Sequence, residues 1–354
     1  MSQINRYLIA TILGFTATTG LALVAIYTFI SFVAEIDETG EGSFGMLELV
    51  WYTLMMMPSG LYILMPIIAL LGTIMGLGAL ASQNEINAMR ASGVTLARLG
   101  AATLTAGALL GAFAVFIGDY LAPAGSASAR AFKNEARYSV AGGVTAKPIW
   151  LRDGRSIVHI RALQAENAMA DVDIYTLADD LSIERVMRVA SAVYSDGGWH
   201  LHGVEQTRFE AGRTVAEKID TMDWDATLSP DVLRLFVLEA DSLSTTGLVR
   251  LIDYMIDNGL DAGEYRLSLW RKLIAPFTVM AMMLFAVPYA LGSQRAGGAG
   301  QRLLIGILVG LVFYLVNEVT ASLGQLYAWP PSLAAALPTL LLTVLAMIRL
   351  KRAR

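Results

Sequence analysis

Six long apolar stretches dominate the pattern of the chain, at residues 7–34, 49–81, 96–122, 269–291, 303–323 and 333–350. A helix needs roughly 20 apolar residues to cross a hydrocarbon layer, so each stretch predicts a membrane span. The first run is too long for the apolar core of a cleavable leader and is expected to stay as an anchor. Between the third and fourth stretches the period changes. Polar and apolar residues alternate at 148–152, 155–161, 172–177, 181–191, 198–209 and 214–224, with turn signals at Asp153-Gly154 and Asp196-Gly197-Gly198. Strands at this spacing predict a small all-β sandwich or jelly roll, with Trp199 and Leu201, or Val158 and Ile160, facing inward. Leu243, Leu248, Leu251, Ile252, Met255 and Ile256 then mark an amphipathic helix over 242–258, stopped by Gly259 and expected at the membrane surface. The expected fold class is a polytopic α-helical membrane protein with an inserted all-β, jellyroll-like domain. Residues 1–123 would carry spans one to three, 124–241 the β domain, and 242–354 the surface helix and spans four to six.

One polar stretch interrupts the apolar pattern, Ser82-Gln-Asn-Glu-Ile-Asn-Ala-Met-Arg-Ala-Ser-Gly93. Ser82 and Glu85 have the spacing of a capping box and Gly93 that of a C-terminal stop, which predicts a short helix over 83–91. Ile86 and Met89 would share one side of it, Asn87 and Arg90 another. A connector between spans has no need of a capped helix unless that helix docks on something.

Composition agrees with the pattern, since 55% of the 354 residues are hydrophobic. A net charge of -4 leaves no bulk polyanion-binding signature, and zero Cys removes disulfides and thiolate chemistry. The loop at 35–48 carries Glu35, Asp37, Glu38, Glu41 and Glu48 with no Lys or Arg. Arg90, Arg98, Arg295 and Arg302 lie in the alternate connections, and Arg349, Lys351, Arg352 and Arg354 in the tail. By the positive-inside rule the termini and the loops at 82–95 and 292–302 are cytoplasmic, and the acidic loop and β domain lie outside.

No phosphate-binding loop of the Gly-x-x-x-x-Gly-Lys-Ser/Thr type occurs, so energy for any pumping must come from another chain. His200 and His202 share a strand face, but two imidazoles without a third ligand make a polar surface, and no metal site is assigned. Asp119 and Glu318 fall near span ends, where they reach the interface or serve as a proton or substrate relay. Arg266, Arg271 and Lys272 at the outer start of span four go against the charge bias. They suit an anionic head group, or act as snorkelling anchors. Gly72-x-x-x-Gly76, Gly107-x-x-x-Gly111 and Gly306-x-x-x-Gly310 allow close helix packing within or between subunits. Pro58, Pro66, Pro276 and Pro288 can kink spans two and four.

Several separated motifs carry a family resemblance. Leu70-Leu-Gly-Thr-Ile-Met-Gly-Leu-Gly-Ala-Leu-Ala81, Glu85 and Met89-Arg-Ala-Ser-Gly93 resemble the lipopolysaccharide-export permeases of the LptF/LptG (YjgP/YjgQ) family. Tyr120-Leu-Ala-Pro123, Leu243-Ser-Thr-Thr-Gly247, Asp261-Ala-Gly-Glu-Tyr-Arg266 with Trp270, Lys272 and Pro276, and Pro330-Pro331 look more like its G-type than its F-type chains. The resemblance implies a non-enzymatic inner-membrane permease with six spans and a periplasmic jellyroll, paired with an F-type chain. Two copies of the ATPase LptB, which holds ATP and Mg, would bind the cytoplasmic side. LptC would insert a helix, and LptA would carry lipopolysaccharide onward across the periplasm. Residues 83–92 would be the coupling helix, with Glu85, Ile86, Met89, Arg90 and Gly93 at the motor and Glu85 the main polar contact.

One departure from the family's pattern stands out. G-type chains commonly carry lysines at the outer end of span one and near the start of span two, whereas this chain has Ser31-Phe-Val-Ala-Glu-Ile-Asp-Glu38, and Ser59 after Pro58. Lipid phosphates would then be met through divalent cations on Glu35, Asp37 or Glu38, or by Arg271 and Lys272 with Arg266. Two other classes stay open: an ion-coupled secondary transporter using Asp119 and Glu318, and an envelope protein whose β edge binds partner strands.

Overall fold

A computed structural model describes residues 3–138, 148–165, 167–210, 212–292 and 299–352. Of the expected loop at 292–302, residues 293–298 with Arg295 lie outside the described residues, as does Arg354. Among the described residues, six helices long and apolar enough to cross a membrane run over Gln3–Glu38, Met46–Ser82, Leu96–Arg137, Gly263–Ala290, Gly300–Leu326 and Pro331–Arg352. Each coincides with one of the apolar stretches read from the sequence, the fourth ending one residue short of its stretch. The chain divides into two compact units, one of Met1–Ala34, Thr53–Ser126 and Gly263–Arg354, the other of Glu35–Tyr52 and Ala127–Ala262.

The first unit is helical. It takes in α1 (Gln3–Ala34), most of α2 (Met46–Ser82), α3 (Glu85–Ala91), α4 (Leu96–Phe116), a π turn (Ile117–Leu121) and the first turn of α5 (Ala122–Tyr138). After the inserted unit come α8 (Gly263–Gly292), α9 (Ala299–Leu326) and α10 (Pro331–Arg352). Lipid tails are as apolar as leucine, so burial alone does not join these helices, and close backbone approach has to. Gly72 packs on Thr16 of α1, Gly111 on Pro276 of α8, and Gly306 on Leu71 of α2, where an added Cβ would come within 2.4, 3.1 and 2.3 Å of its neighbour. All three glycine pairs therefore serve packing inside this chain. One cluster joins Leu8 and Ile12 of α1, Leu77 and Leu80 of α2, Leu99 of α4, and Met283 and Val287 of α8.

The second unit holds six antiparallel strands: β1 (Ile149–Asp153), β2 (Ser156–Ala165), β3 (Ala168–Leu177), β4 (Ile183–Ser195), β5 (Gly198–Glu210) and β6 (Arg213–Trp224). The expected β domain is present and inserted where the pattern changes. Its described strands form one sheet in the order β1-β2-β3-β4-β5-β6, an up-and-down meander rather than the two sheets of a sandwich. Cross-strand pairs carry one apolar face across it: Ile160 opposite Val172, Val172 opposite Val189, Val189 opposite Val204, and Val204 opposite Ile219. The second layer is helical, because α6 (Pro230–Val237) and α7 (Thr245–Asp257) put Leu233 and Tyr254 into the same cluster as Val158, Trp199 and Leu201. Part of the apolar face of α7 therefore covers the sheet, through Tyr254 and Met255. The predicted stop at Gly259 is present, with a backbone φ of +65°.

Candidate functional site

The interrupting helix α3 starts later than the capping-box spacing predicts. Ser82 closes α2, and its hydroxyl donates back to the Ala79 carbonyl at 2.8 Å instead of capping α3. Asn84 makes the break by adopting the left-handed region at φ 60°, which Asn tolerates better than most residues. The C-terminus behaves as predicted. Gly93 N–H donates to Arg90 O and Val94 N–H to Met89 O, both at 3.0 Å, the paired bonds of a Schellman stop. Ile86 is fully buried in the cluster shared by α1, α2, α4 and α8, and Met89 packs against it. These two residues hold the helix down, while Asn87, Arg90 and Gly93 are exposed on it. Glu85 is half-buried beside Tyr7 of α1.

The acidic loop has internal partners that the sequence reading missed. α5 presents Arg130, Lys133 and Arg137 at helical spacing, and Lys133 Nζ lies 2.6 Å from Glu35 and 2.5 Å from Glu38. Arg137 pairs with Glu38 at 2.7 Å and also with Glu41. Gly42 and Ser43 fasten the loop to the end of α5, where Ser43 N–H donates to Ala136 O at 2.7 Å. The signal was an i, i+3, i+7 stripe of cations, overlooked because the third helix was expected to end at residue 122. Asp37 is exposed. Among the described residues no three His, Asp or Glu side chains converge on a metal position.

The cations at the start of α8 separate into different environments. Arg266 is exposed, and Arg271 reaches Glu318 of α9 at 3.2 Å. Lys272 turns into the bundle, where its side chain is 8% exposed. Its Nζ donates to Gly118 O at 2.6 Å, lies 3.8 Å from Asp119 and stands 5.3 Å from the Tyr62 ring centroid. Asp119 and Glu318 thus both sit beside α8 cations.

In the β unit His200 Nδ1 lies 2.6 Å from Asp223, and this hydrogen bond holds the imidazole pKa above its ordinary value. His202 is exposed on the same strand. A cleft of about 540 Å³ is lined by Thr227, Asp231, Arg250, Asp253, Tyr254 and Asp257 among others. Burial pushes the Tyr254 hydroxyl above the usual phenol range, and that hydroxyl donates to Arg152 O at 3.0 Å, tying α7 to the first hairpin.

The family model for the lipopolysaccharide export system permease LptF/LptG matches residues 6–352. The chain belongs to the LptF/LptG family. It is 30% identical over 339 residues to lipopolysaccharide export system permease protein LptG of Escherichia coli (strain K12), an alignment covering 95% of this chain and 94% of that one. It is 29% identical over 361 residues to the protein of the same name from Haemophilus influenzae, covering 100% and 99%. The α3 helix, the acidic loop with its α5 cations, and the Lys272 contacts all fall within the sequence that the LptF/LptG model spans.

Proposed function

We propose that this chain is the G-type permease subunit of an inner-membrane ABC exporter that lifts lipopolysaccharide out of the membrane toward the outer membrane, with its β domain and acidic loop periplasmic and both termini cytoplasmic. The observation that carries the reading is the nearly full-length match to relatives named LptG. Hydrolysis belongs to a separate ATPase pair of the LptB kind, because this sequence lacks a phosphate loop. The ATPase docks on the exposed side of α3, through Asn87, Arg90, Gly93 and the edge of Glu85, while Ile86 and Met89 anchor the helix. An F-type chain, LptC and the bridge protein LptA complete the assembly. Lipid phosphates are met by Arg266 and Arg271, at the exposed start of α8. Bridging by divalent cations has less support, since Glu35 and Glu38 are already neutralised by Lys133 and Arg137.

The test is reconstitution with an F-type chain, LptB and LptC in liposomes loaded with lipopolysaccharide. The wild type should release lipid to LptA with ATP and without added divalent cations beyond magnesium. Asn87→Asp/Arg90→Glu should fail to retain the ATPase on purification. Undiminished ATPase retention and release by that variant would overturn the docking assignment, and no release by the wild type would overturn the exporter reading.

A further inference from the structure

The third span carries a proline two residues past a π turn, and the register there singles out one carbonyl. In the π turn Ile117–Leu121 the amide of Ala122 reaches back five residues to Ile117 O. The next donor in that register would be residue 123, which would serve Gly118 O. Residue 123 is proline and has no N–H. A buried carbonyl without a donor is costly, more so in a membrane-spanning bundle. The donor comes instead from another helix, since Lys272 Nζ of α8 meets Gly118 O at 2.6 Å. The neighbourhood is built around that contact. Gly118 has no room for a Cβ against the Tyr62 ring, Lys272 Nζ sits over the same ring, and Asp119 supplies a carboxylate at 3.8 Å.

We infer that Lys272 is a positioning residue of the transport cycle, whose ligand is the backbone of the third span rather than a lipid phosphate. Its ammonium replaces the amide that Pro123 lacks and so fixes the bend of span three against span four. The inference rests on the exporter reading for its transport readout but has a second readout that does not. A cation serving lipid phosphate would be indifferent to what residue 123 is, whereas a cation standing in for an amide would become dispensable once that amide is restored.

Three variants of the full chain test it: Lys272→Met, Pro123→Ala, and the two combined. In reconstituted exporter, Lys272→Met should slow lipid release about tenfold or more, the equilibrium worth of one hydrogen bond to a charged group. Pro123→Ala/Lys272→Met should recover release to within about threefold of wild type, since a neutral amide bond is weaker than the charged one. Lys272→Arg should keep a donor and retain release. The purified chain alone gives the second readout, its thermal midpoint in detergent. Lys272→Met should lower the midpoint and Pro123→Ala should reduce that loss. If Lys272→Met does not accumulate, recovery of folded protein by the double variant carries the same meaning. A double variant no better than Lys272→Met in both readouts overturns the inference. Rescue of the midpoint without any release by the wild type would leave it standing and sink the exporter reading instead.

Discussion

Lys133→Met probes how firmly the acidic loop is held. Lys133 is 13% exposed and bonds Glu35 at 2.6 Å and Glu38 at 2.5 Å, with its Nζ 4.9 Å from the Tyr52 ring centroid. A hydrogen bond to a charged group contributes about 1.5–3 kcal/mol, and a cation over an aromatic face about 0.5–1 kcal/mol at a partly exposed site. Glu38 is more than a third exposed, so solvent screening takes most of its share. The loss then comes to about 2–4 kcal/mol, concentrated in local opening of the loop rather than global unfolding. A glutamate-specific protease reads this directly, because Glu38 and Glu41 lie in the segment that opens. When opening is fast relative to cleavage, the rate follows the open population, so cleavage should accelerate roughly 30-fold to 1000-fold. Adding Glu35→Gln should return part of the loss by removing a carboxylate left without its cation. Acceleration of less than about threefold would refute the reasoning, since it would make these contacts worth no more than an exposed surface pair.

Two further outcomes follow from the geometry. The folded imidazole of His200 has a raised pKa, so its pair with Asp223 stabilises fully below the unfolded value of about 6.5 and the benefit disappears as pH rises through the folded value. The thermal midpoint of His200→Gln should fall below wild type near about pH 5.5 and coincide with it near about pH 9; a gap that widens with pH would contradict the assignment. Ile86→Ala should leave the exposed face of α3 intact while loosening its anchor by about 2–5 kcal/mol, so the ATPase should remain bound and hydrolyse ATP while lipid release falls. Loss of ATPase retention in that variant would mean that Ile86 is itself part of the docking surface.

The spans were legible because nothing but hydrocarbon solvent demands twenty apolar residues in a row, and the strands because alternation about Asp153-Gly154 has a period of two. What escaped the sequence depended on contacts between distant positions. The helical second layer over the sheet is set by Leu233 and Tyr254, which join a cluster of side chains from β1 to β5, and no local period reports that. The start of α3 was misplaced because Ser82 could cap forward or bond backward, and the continuing turn of α2 decided it. Lys272 was placed on an outer surface because a cation near a span end ordinarily reaches water. Its inward course makes sense only beside Pro123, and the two lie on different helices. The stripe of Arg130, Lys133 and Arg137 was readable, but only once residues 122–138 were taken as helix.

The same cluster explains why so short a helix as α3 can matter to the bundle. Seven residues cannot hold a helix in water on propensity alone, so its rigidity is borrowed from what it packs on. Ile86, Met89 and Val94 enter a single packed cluster with side chains of α1, α2, α4 and α8. Close-packed interiors have low compressibility, so a displacement of α3 is passed to those four helices together rather than absorbed at one contact. Among the described residues, none of α9 or α10 belongs to the fully buried part of that cluster, and Leu350 of α10 packs at its margin. The remaining spans join this set through other contacts: Gly306 and Gly310 of α9 pack on Leu71 and Ile67 of α2, and Leu342 and Ala346 of α10 share a buried cluster with residues of α2 and α8.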